Sequence, residues 1–420
     1  MSLSSEKTKL QVFCAKSSED AAFIGRATSI LNISGHPVQF ETEAEHVGIV
    51  RSTTGNLPHL LSRFAAHRSS LFKVLPVGAG KGHRGNPAAC INAHQTYCYP
   101  VLFSGIPSLV LTNSEINILD QFFKVSLQRL QKLRDKTPDC VVMFLAGQLP
   151  GKAVLHLRLL STFGMICRLP ESFLHKIAEY QLTSAKQSSG SWFLQIRDIC
   201  LMYNLPSPIT LLQNTPTKYV YKKLVKSKVV DYWELNLRAE AENLKENSLK
   251  YFQADFMSLT TPHLIWSTCG SNPYEVHKAV IQAKMLSGRY VTDKLSRYWT
   301  QNKAGICSIP TCTGQDIGSL EHLLLFCPAL SDARERMVEL WQAVATEHQE
   351  LHSIIYSVLS GQTVETFVQF LLDCSCFPAV IRLKQNSGLQ LVSRLFYLTR
   401  SWCHSMYRSR MNKLGLLQYR

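Results

Sequence analysis

The stretch Gly305-Ile306-Cys307-Ser308-Ile309-Pro310-Thr311-Cys312-Thr313-Gly314-Gln315-Asp316-Ile317-Gly318-Ser319-Leu320-Glu321-His322-Leu323-Leu324-Leu325-Phe326-Cys327-Pro328-Ala329-Leu330 decides how this chain is read. It sets Cys307, Cys312, His322 and Cys327 in the order C-x4-C-x9-H-x4-C. Three thiolates and one imidazole are a ligand set for tetrahedral Zn²⁺. Pro310 and Gly314 supply the turns that a short ligand loop needs. Residues 321–326 read as a short helix, which places His322 and Cys327 about one turn apart, and Pro328 ends it. The competing reading is three core cysteines and a surface histidine, because free Cys is often simply a small buried residue.

Outside this stretch the bulk numbers set bounds. The chain has 420 residues, enough for two or three compact units. With 45% apolar and 18% charged residues it is globular rather than disordered. The formal charge of +15 calls for a polyanionic partner, nucleic acid first and an anionic membrane surface second. No apolar run reaches the roughly 18 residues that a membrane span needs. The 13 cysteines are mostly scattered singly, and residues 1–10 are polar and charged, without a secretory core. Both features point to an intracellular, reducing compartment with free or metal-bound thiols, nucleus and cytoplasm not being distinguished. Oligomeric state leaves no mark on the sequence.

Patterning makes the chain mainly α with a small α/β piece at its start. Short strands are expected at residues 10–13, at 32–38 around Gly35, and across 45–50. The loop 78–85 combines four glycines with Lys81, His83 and Arg84. It lacks the Gly-Lys-Ser/Thr of a P-loop, so the glycines read as a connection and the basic side chains as contacts to a phosphate backbone. From about residue 87 the chain turns largely helical. Thr112 and Glu115 form a capping box, followed by an apolar face of Ile116, Leu119, Phe123, Leu127 and Leu130. Lys124, Arg129 and Lys132 lie off that face. Helices are expected to start at Thr137-Pro138, Ser207-Pro208 and Thr215-Pro216, each with a hydroxyl cap before proline.

Residues 216–247 form the longest helical stretch, with Lys218, Lys222, Lys223, Lys226 and Lys228 around Tyr219 and Tyr221. Lysines supply phosphate charge and tyrosines stack on bases; an amphipathic helix with core aromatics fits the same residues. Residues 272–303 read as a helical pair carrying Lys278, Arg289, Lys294 and Arg297 into the Cys/His stretch. Basic helices flanking a metal loop are a combination that nucleic-acid binders use.

Several segments carry a family resemblance by their order: Ser5-Glu6-Lys7-Thr8-Lys9-Leu10-Gln11-Val12-Phe13, Glu45-His46-Val47-Gly48-Ile49, Tyr99-Pro100-Val101-Leu102-Phe103-Ser104-Gly105, Leu286-Ser287-Gly288-Arg289-Tyr290, residues 321–328 and Leu395-Phe396-Tyr397-Leu398-Thr399-Arg400. Together they resemble the C-terminal part of non-LTR (LINE-type) retrotransposon polyproteins, from the end of the reverse-transcriptase palm to the terminus. Ser4 stands where that family usually has Asn. The resemblance implies five parts: a palm-edge remnant (1–50), a thumb-like helical region (51–185), a basic helical connector (191–304), a CCHC zinc knuckle (305–330) and a C-terminal helical region (331–420). It makes Cys307, Cys312, His322 and Cys327 the zinc knuckle, and Lys7 the match of a palm lysine near the incoming nucleotide.

Polymerase chemistry needs carboxylates holding two Mg²⁺ ions, and this chain has no Asp-Asp dipeptide. The expectation is therefore a truncated, non-catalytic fragment that grips RNA or DNA largely without sequence preference and carries structural Zn²⁺. Two rivals are a Zn-dependent hydrolase, for which Glu321 would be the adjacent base, and a basic interaction scaffold with no nucleic-acid role.

Overall fold

The computed structural model describes residues 41–53, 55–79, 85–184, 190–246, 248–296, 304–313, 316–361 and 363–416, with the strand residues 9–10, 32–33, 36–37 and 39–40. Lys7, Lys81, Arg84 and Arg297 lie outside the described residues.

The protein is mainly α. The short strands among the described residues are β1 (Lys9–Leu10), β2 (Asn32–Ile33), β3 (His36–Pro37), β4 (Gln39–Phe40), β5 (Glu43–His46) and β6 (Ile49–Ser52). β1 runs parallel to β4, β2 pairs antiparallel with β3, and β5 pairs antiparallel with β6. The run 45–50, expected as one strand, is instead a hairpin with His46 opposite Ile49. Val47 (φ 51°) and Gly48 (φ 75°) both adopt positive φ, the geometry of a two-residue hairpin turn. Alternation of apolar residues hid the turn that Gly48 makes possible.

The helices are α1 (Leu57–Ala79), α2 (Pro87–Ala93), α3 (Tyr99–Leu102), α4 (Asn113–Leu130), α5 (Asp139–Ala146), α6 (Gly151–Cys167), α7 (Phe173–Ser184), α8 (Trp192–Met202) and α9 (Pro208–Gln213). They continue as α10 (Lys218–Asn243), α11 (Leu264–Ser267), α12 (Pro273–Leu286), α13 (Asp293–Ser296), α14 (Ser331–Glu347), α15 (Gln349–Gly361), α16 (Val364–Leu372), α17 (Pro378–Ser387) and α18 (Leu389–Lys413). Among the described residues helix thus begins at Leu57, about thirty residues before the point from which patterning makes the chain largely helical. Gly288 turns the chain at φ 63° directly after α12, and the expected second helix of the 272–303 pair is described only as α13, because residues 297–303 lie outside the described residues.

Residues 1–74, 93–123 and 150–231 form one compact unit. The Thr112 backbone N–H donates to Glu115 Oε2 (2.7 Å) and the Glu115 N–H to Thr112 Oγ1 (3.3 Å), so the capping box of α4 is present. The same carboxylate accepts the N–H of Asn56 (2.9 Å) and so holds the start of α1 as well. Burial pushes the Glu115 pKa up, but the N–H donors of Thr112 and Asn56 outweigh it and hold the group below its usual range. Phe64 stacks on Phe122 at 4.0 Å, and Tyr99, Phe103, Leu119 and Phe123 fill the core. Ser207 caps α9 as expected, accepting from the Thr210 N–H. Thr215 does not cap α10; its hydroxyl donates to the Leu211 carbonyl (2.7 Å), and the helix starts at Lys218. The Tyr221 ring lies against Gly164, where a Cβ would meet the ring at 2.3 Å, and its hydroxyl donates to the Leu160 carbonyl.

Residues 75–92, 124–149 and 232–420 form the second unit. Helix α18 is its axis, packed by α12, α14, α16 and α17. Trp341, Phe367, Phe370 and Trp402 interlock edge to face in this core. Thr137 was expected to cap α5, yet its hydroxyl donates to the Arg134 carbonyl (2.6 Å). The Glu240 carboxylate caps α5 instead, accepting the N–H groups of Asp139 and Cys140 at 3.1 Å each. A long-range carboxylate displaces the local hydroxyl, which sequence patterning cannot foresee.

Candidate metal centre

The four side chains of the Cys/His stretch converge. Cys307 Sγ, Cys312 Sγ, His322 N and Cys327 Sγ all lie within 4.8 Å of one another and can hold a metal ion. Cys307 and Cys327 sulfurs are 4.0 Å apart, and Cys312 Sγ is 3.6 Å from His322 Nε2. A tetrahedral ion with Zn–S bonds of about 2.3 Å and Zn–N near ~2.0–2.1 Å separates two sulfurs by about 3.8 Å and sulfur from nitrogen by about 3.6 Å. The Cys307–Cys327 and Cys312–His322 distances fit such an ion.

Local backbone explains the convergence. Ile306 and Ile317 form an antiparallel bridge, flanked by Cys307 N–H to the Asp316 carbonyl (3.0 Å) and Gly318 N–H to the Gly305 carbonyl (2.8 Å). Ile309-Pro310-Thr311-Cys312 is a turn closed by Cys312 N–H to the Ile309 carbonyl (2.9 Å), with proline pre-setting the second position. The short helix expected at 321–326 is a π-helix at His322–Phe326, and this is a correction with consequences. In an α-helix, residues five apart point about 140° away from each other. Here Cys327 N–H bonds the His322 carbonyl at 2.7 Å, an i→i+5 closure that stacks the two positions. Trp402 Nε1 of α18 donates to the Leu324 carbonyl within that turn.

The charges around the site suit a cation. Burial and the neighbouring sulfurs push the Cys327 thiol up to about 12, and burial likewise raises Cys307. A divalent ion reverses this, because it deprotonates coordinating thiols outright. Backbone N–H groups of Ile309 and Ala329 point at the Cys307 and Cys327 sulfurs and favour the thiolates. Burial lowers the His322 pKa, so the imidazole is neutral and able to ligate. Its Nδ1 lies 3.7 Å from Asp316 Oδ2, an outer carboxylate facing the ring's far nitrogen.

Asp293 anchors the loop from behind. Its carboxylate accepts Ser308 Oγ (2.7 Å), Ser308 N–H (3.3 Å) and Arg410 Nη2 (3.2 Å). Gly318 lies so close to Asp293 that a Cβ would fall 2.6 Å from the Asp293 Cβ. Arg410 reads in the sequence only as one of several basic residues on the last helix; its pairing with Asp293 leaves no signal, because 117 positions separate them and no local pattern links residues that far apart. Asp316 had one signal, its place inside the ligand stretch.

The basic residues singled out by sequence fall in varied settings. Lys218, Lys222, Lys223 and Lys226 are exposed on α10, and Lys228 is half-buried. Tyr219 beside them is 76% exposed, whereas Tyr221 is core, so the two readings of these aromatics divide between the two residues. Lys124 is mostly buried and paired with Asp139. Arg129 is exposed and Lys132 half-buried at φ 54°. Arg289 is half-buried and Lys294 exposed, both near the metal loop. Lys278 is buried, paired with Glu275 (2.8 Å) and held between the Tyr274 and Tyr397 rings.

No family model matches the chain, and no curated protein or solved structure matches it. Among the described residues no single helix is long and apolar enough to cross a membrane.

Proposed function

We propose that this protein binds nucleic acid through phosphate contacts without reading sequence, that Zn²⁺ fixed by Cys307, Cys312, His322 and Cys327 is structural, and that the chain derives from the C-terminal part of a LINE-type reverse transcriptase. The observation that carries the binding reading is the row on α10. Lys218, Lys222 and Lys226 recur every four residues on one face, with Lys223 and Tyr219 alongside. None of these lysines forms an ion pair with a described residue, and their charge is open to a polyanion. A stacking ring among unpaired lysines is the pairing that single-stranded nucleic acid uses.

Two points weigh against the hydrolase reading. Four protein ligands leave no open position for a water on the ion. Glu321, the adjacent carboxylate, is already engaged by the Tyr251 hydroxyl (2.5 Å) and Lys250 (3.3 Å). Burial raises the Glu321 pKa, yet the Tyr251 hydroxyl, its own backbone N–H, the Ser319 hydroxyl and Lys250 together bring it down to about 2, too acidic for a general base. The chain has no Asp-Asp pair for polymerase metals, and the proposed role is binding alone.

The test is fluorescence anisotropy of the full chain with single-stranded RNA and duplex DNA over a salt series. Four lysines on phosphates give a log–log slope of about −3 on single strands. Absence of binding at about 50 mM salt overturns the proposal.

A further inference from the structure

Beside the metal loop lies a cleft of about 330 Å³, within the range of small-ligand sites. The metal loop builds one wall with Ser319, Leu320 and Glu321. The segment after α12 builds another with Arg289, Tyr290 and Lys294, and Ser248, Lys250 and Tyr251 face them. Gly288 makes the shape possible: a Cβ there would fall 1.9 Å from the Ser248 carbonyl oxygen, so only glycine lets the two backbones meet. The Lys294 N–H donates to the Gly318 carbonyl (3.1 Å), which ties the basic wall directly to the loop that holds the ligands.

The charges in this cleft do not cancel one another locally. Glu321 is occupied by Tyr251 and Lys250, and Lys250 also reaches Glu365 (3.6 Å). Glu246 is exposed at the rim. Arg289 and Lys294 form no ion pair among the described residues. Arg289 Nε is buried and makes no hydrogen bond to a described residue. That atom is closed to a ligand, but the half-buried Arg289 side chain lines the cleft without a carboxylate partner among the described residues, so its charge is open to an anion. The planar fork of arginine fits a phosphate group better than any other anion except a carboxylate. Met285, Leu286 and Leu295 give the same cleft apolar surface for a flat ring.

We infer that this cleft takes one phosphorylated nucleotide of a single strand, with its phosphate on Arg289 and Lys294 and its base on the apolar wall. The inference rests on the nucleic-acid reading above and locates a site for it that a bound metal ion holds in shape. A duplex is too wide to enter a space of this size, so the cleft favours single strands and strand ends.

The test uses the intact, zinc-loaded chain, a ten-residue single-stranded oligonucleotide, and uridine 5′-monophosphate as the minimal probe. Arg289→Ala is expected to weaken the oligonucleotide about tenfold or more at fixed salt and to abolish mononucleotide binding. Arg289→Lys, which keeps the charge and loses the fork, recovers only part. Zinc content of each variant reports whether the loop is intact. Removing the metal with a chelator is expected to abolish mononucleotide binding by wild type. If wild type binds no oligonucleotide, the nucleic-acid reading and this inference both fall. If wild type binds but zinc-replete Arg289→Ala binds equally well, this inference alone falls. If polyglutamate displaces the mononucleotide as effectively as oligonucleotide does, the cleft is a general anion site and the nucleotide assignment is overturned.

Discussion

The backbone N–H of Cys327 reaches back five residues to the carbonyl oxygen of His322, and this bond brings the two side chains into one group that could hold a metal ion. Deleting Leu325 would shorten the turn by one residue and swing Cys327 by about 100°. The expected result is metal content falling from one equivalent toward none, read by elemental analysis and by loss of the thiolate–Co²⁺ absorption of the cobalt form. Leu325→Ala, which keeps the spacing, is expected to retain the metal. A deletion variant with full metal content would show that the π-turn is not what aligns the ligands.

Asp293 and Arg410 are both nearly buried, with side chains 9% and 7% exposed. Asp293→Ala leaves the guanidinium buried without its partner and frees Ser308, next to Cys307. The expected cost is about 3–5 kcal/mol in chemical denaturation and roughly 10–100-fold in metal affinity by chelator competition. The double variant Asp293→Ala/Arg410→Ala is expected to cost less than the sum of the two single changes, because the stranded charge is gone. Strict additivity would show that the pair does not couple.

His67, His94 and His156 are buried in the first unit, and burial lowers their pKa values, to about 4, about 3 and about 3. His67 and His94 meet through their Nε2 atoms at 2.7 Å, so one donates and the other accepts, and both are neutral. Above pH ~6.5 these groups are neutral folded and unfolded alike, and they give no pH dependence. Below it the unfolded chain binds protons that the folded unit resists. Stability therefore falls as pH drops from about 6.5 toward 4, by up to about 1.4 kcal/mol per pH unit for each histidine. Denaturation midpoints over that range measure it, and His67→Leu/His94→Leu is expected to flatten the slope. An unchanged slope would mean that other groups cause it.

On α10, Lys222→Ala and Lys226→Ala are expected to weaken binding uniformly across sequences and to reduce the single-strand salt slope by about 0.7 each. Thermal stability should stay within about 0.5 kcal/mol of wild type, since both side chains are exposed. A loss of binding with an unchanged salt slope would indicate a contact other than phosphate. Tyr219→Ala probes stacking separately, with a cost of about 1–3 kcal/mol on single strands if a base lies on the ring.

The sequence by itself determined the helical class, the α4 face from Ile116 to Leu130, its Thr112–Glu115 cap and the four residues that could hold a metal ion. Each of these is a local signal: periodicity, a cap three residues from its partner, or cysteine and histidine at short spacing. The π-turn that aligns His322 with Cys327, the Asp293–Arg410 anchor, the Glu240 cap on α5 and the fates of Tyr219 and Tyr221 were decided by tertiary structure. So was the gathering of residues 93–123 and 150–231 with the N-terminal segment into one compact unit. The physical reason is common to all of them. A backbone donor or a buried charge takes the best partner that packing brings within reach, and that partner's position along the chain is fixed only once the chain has folded.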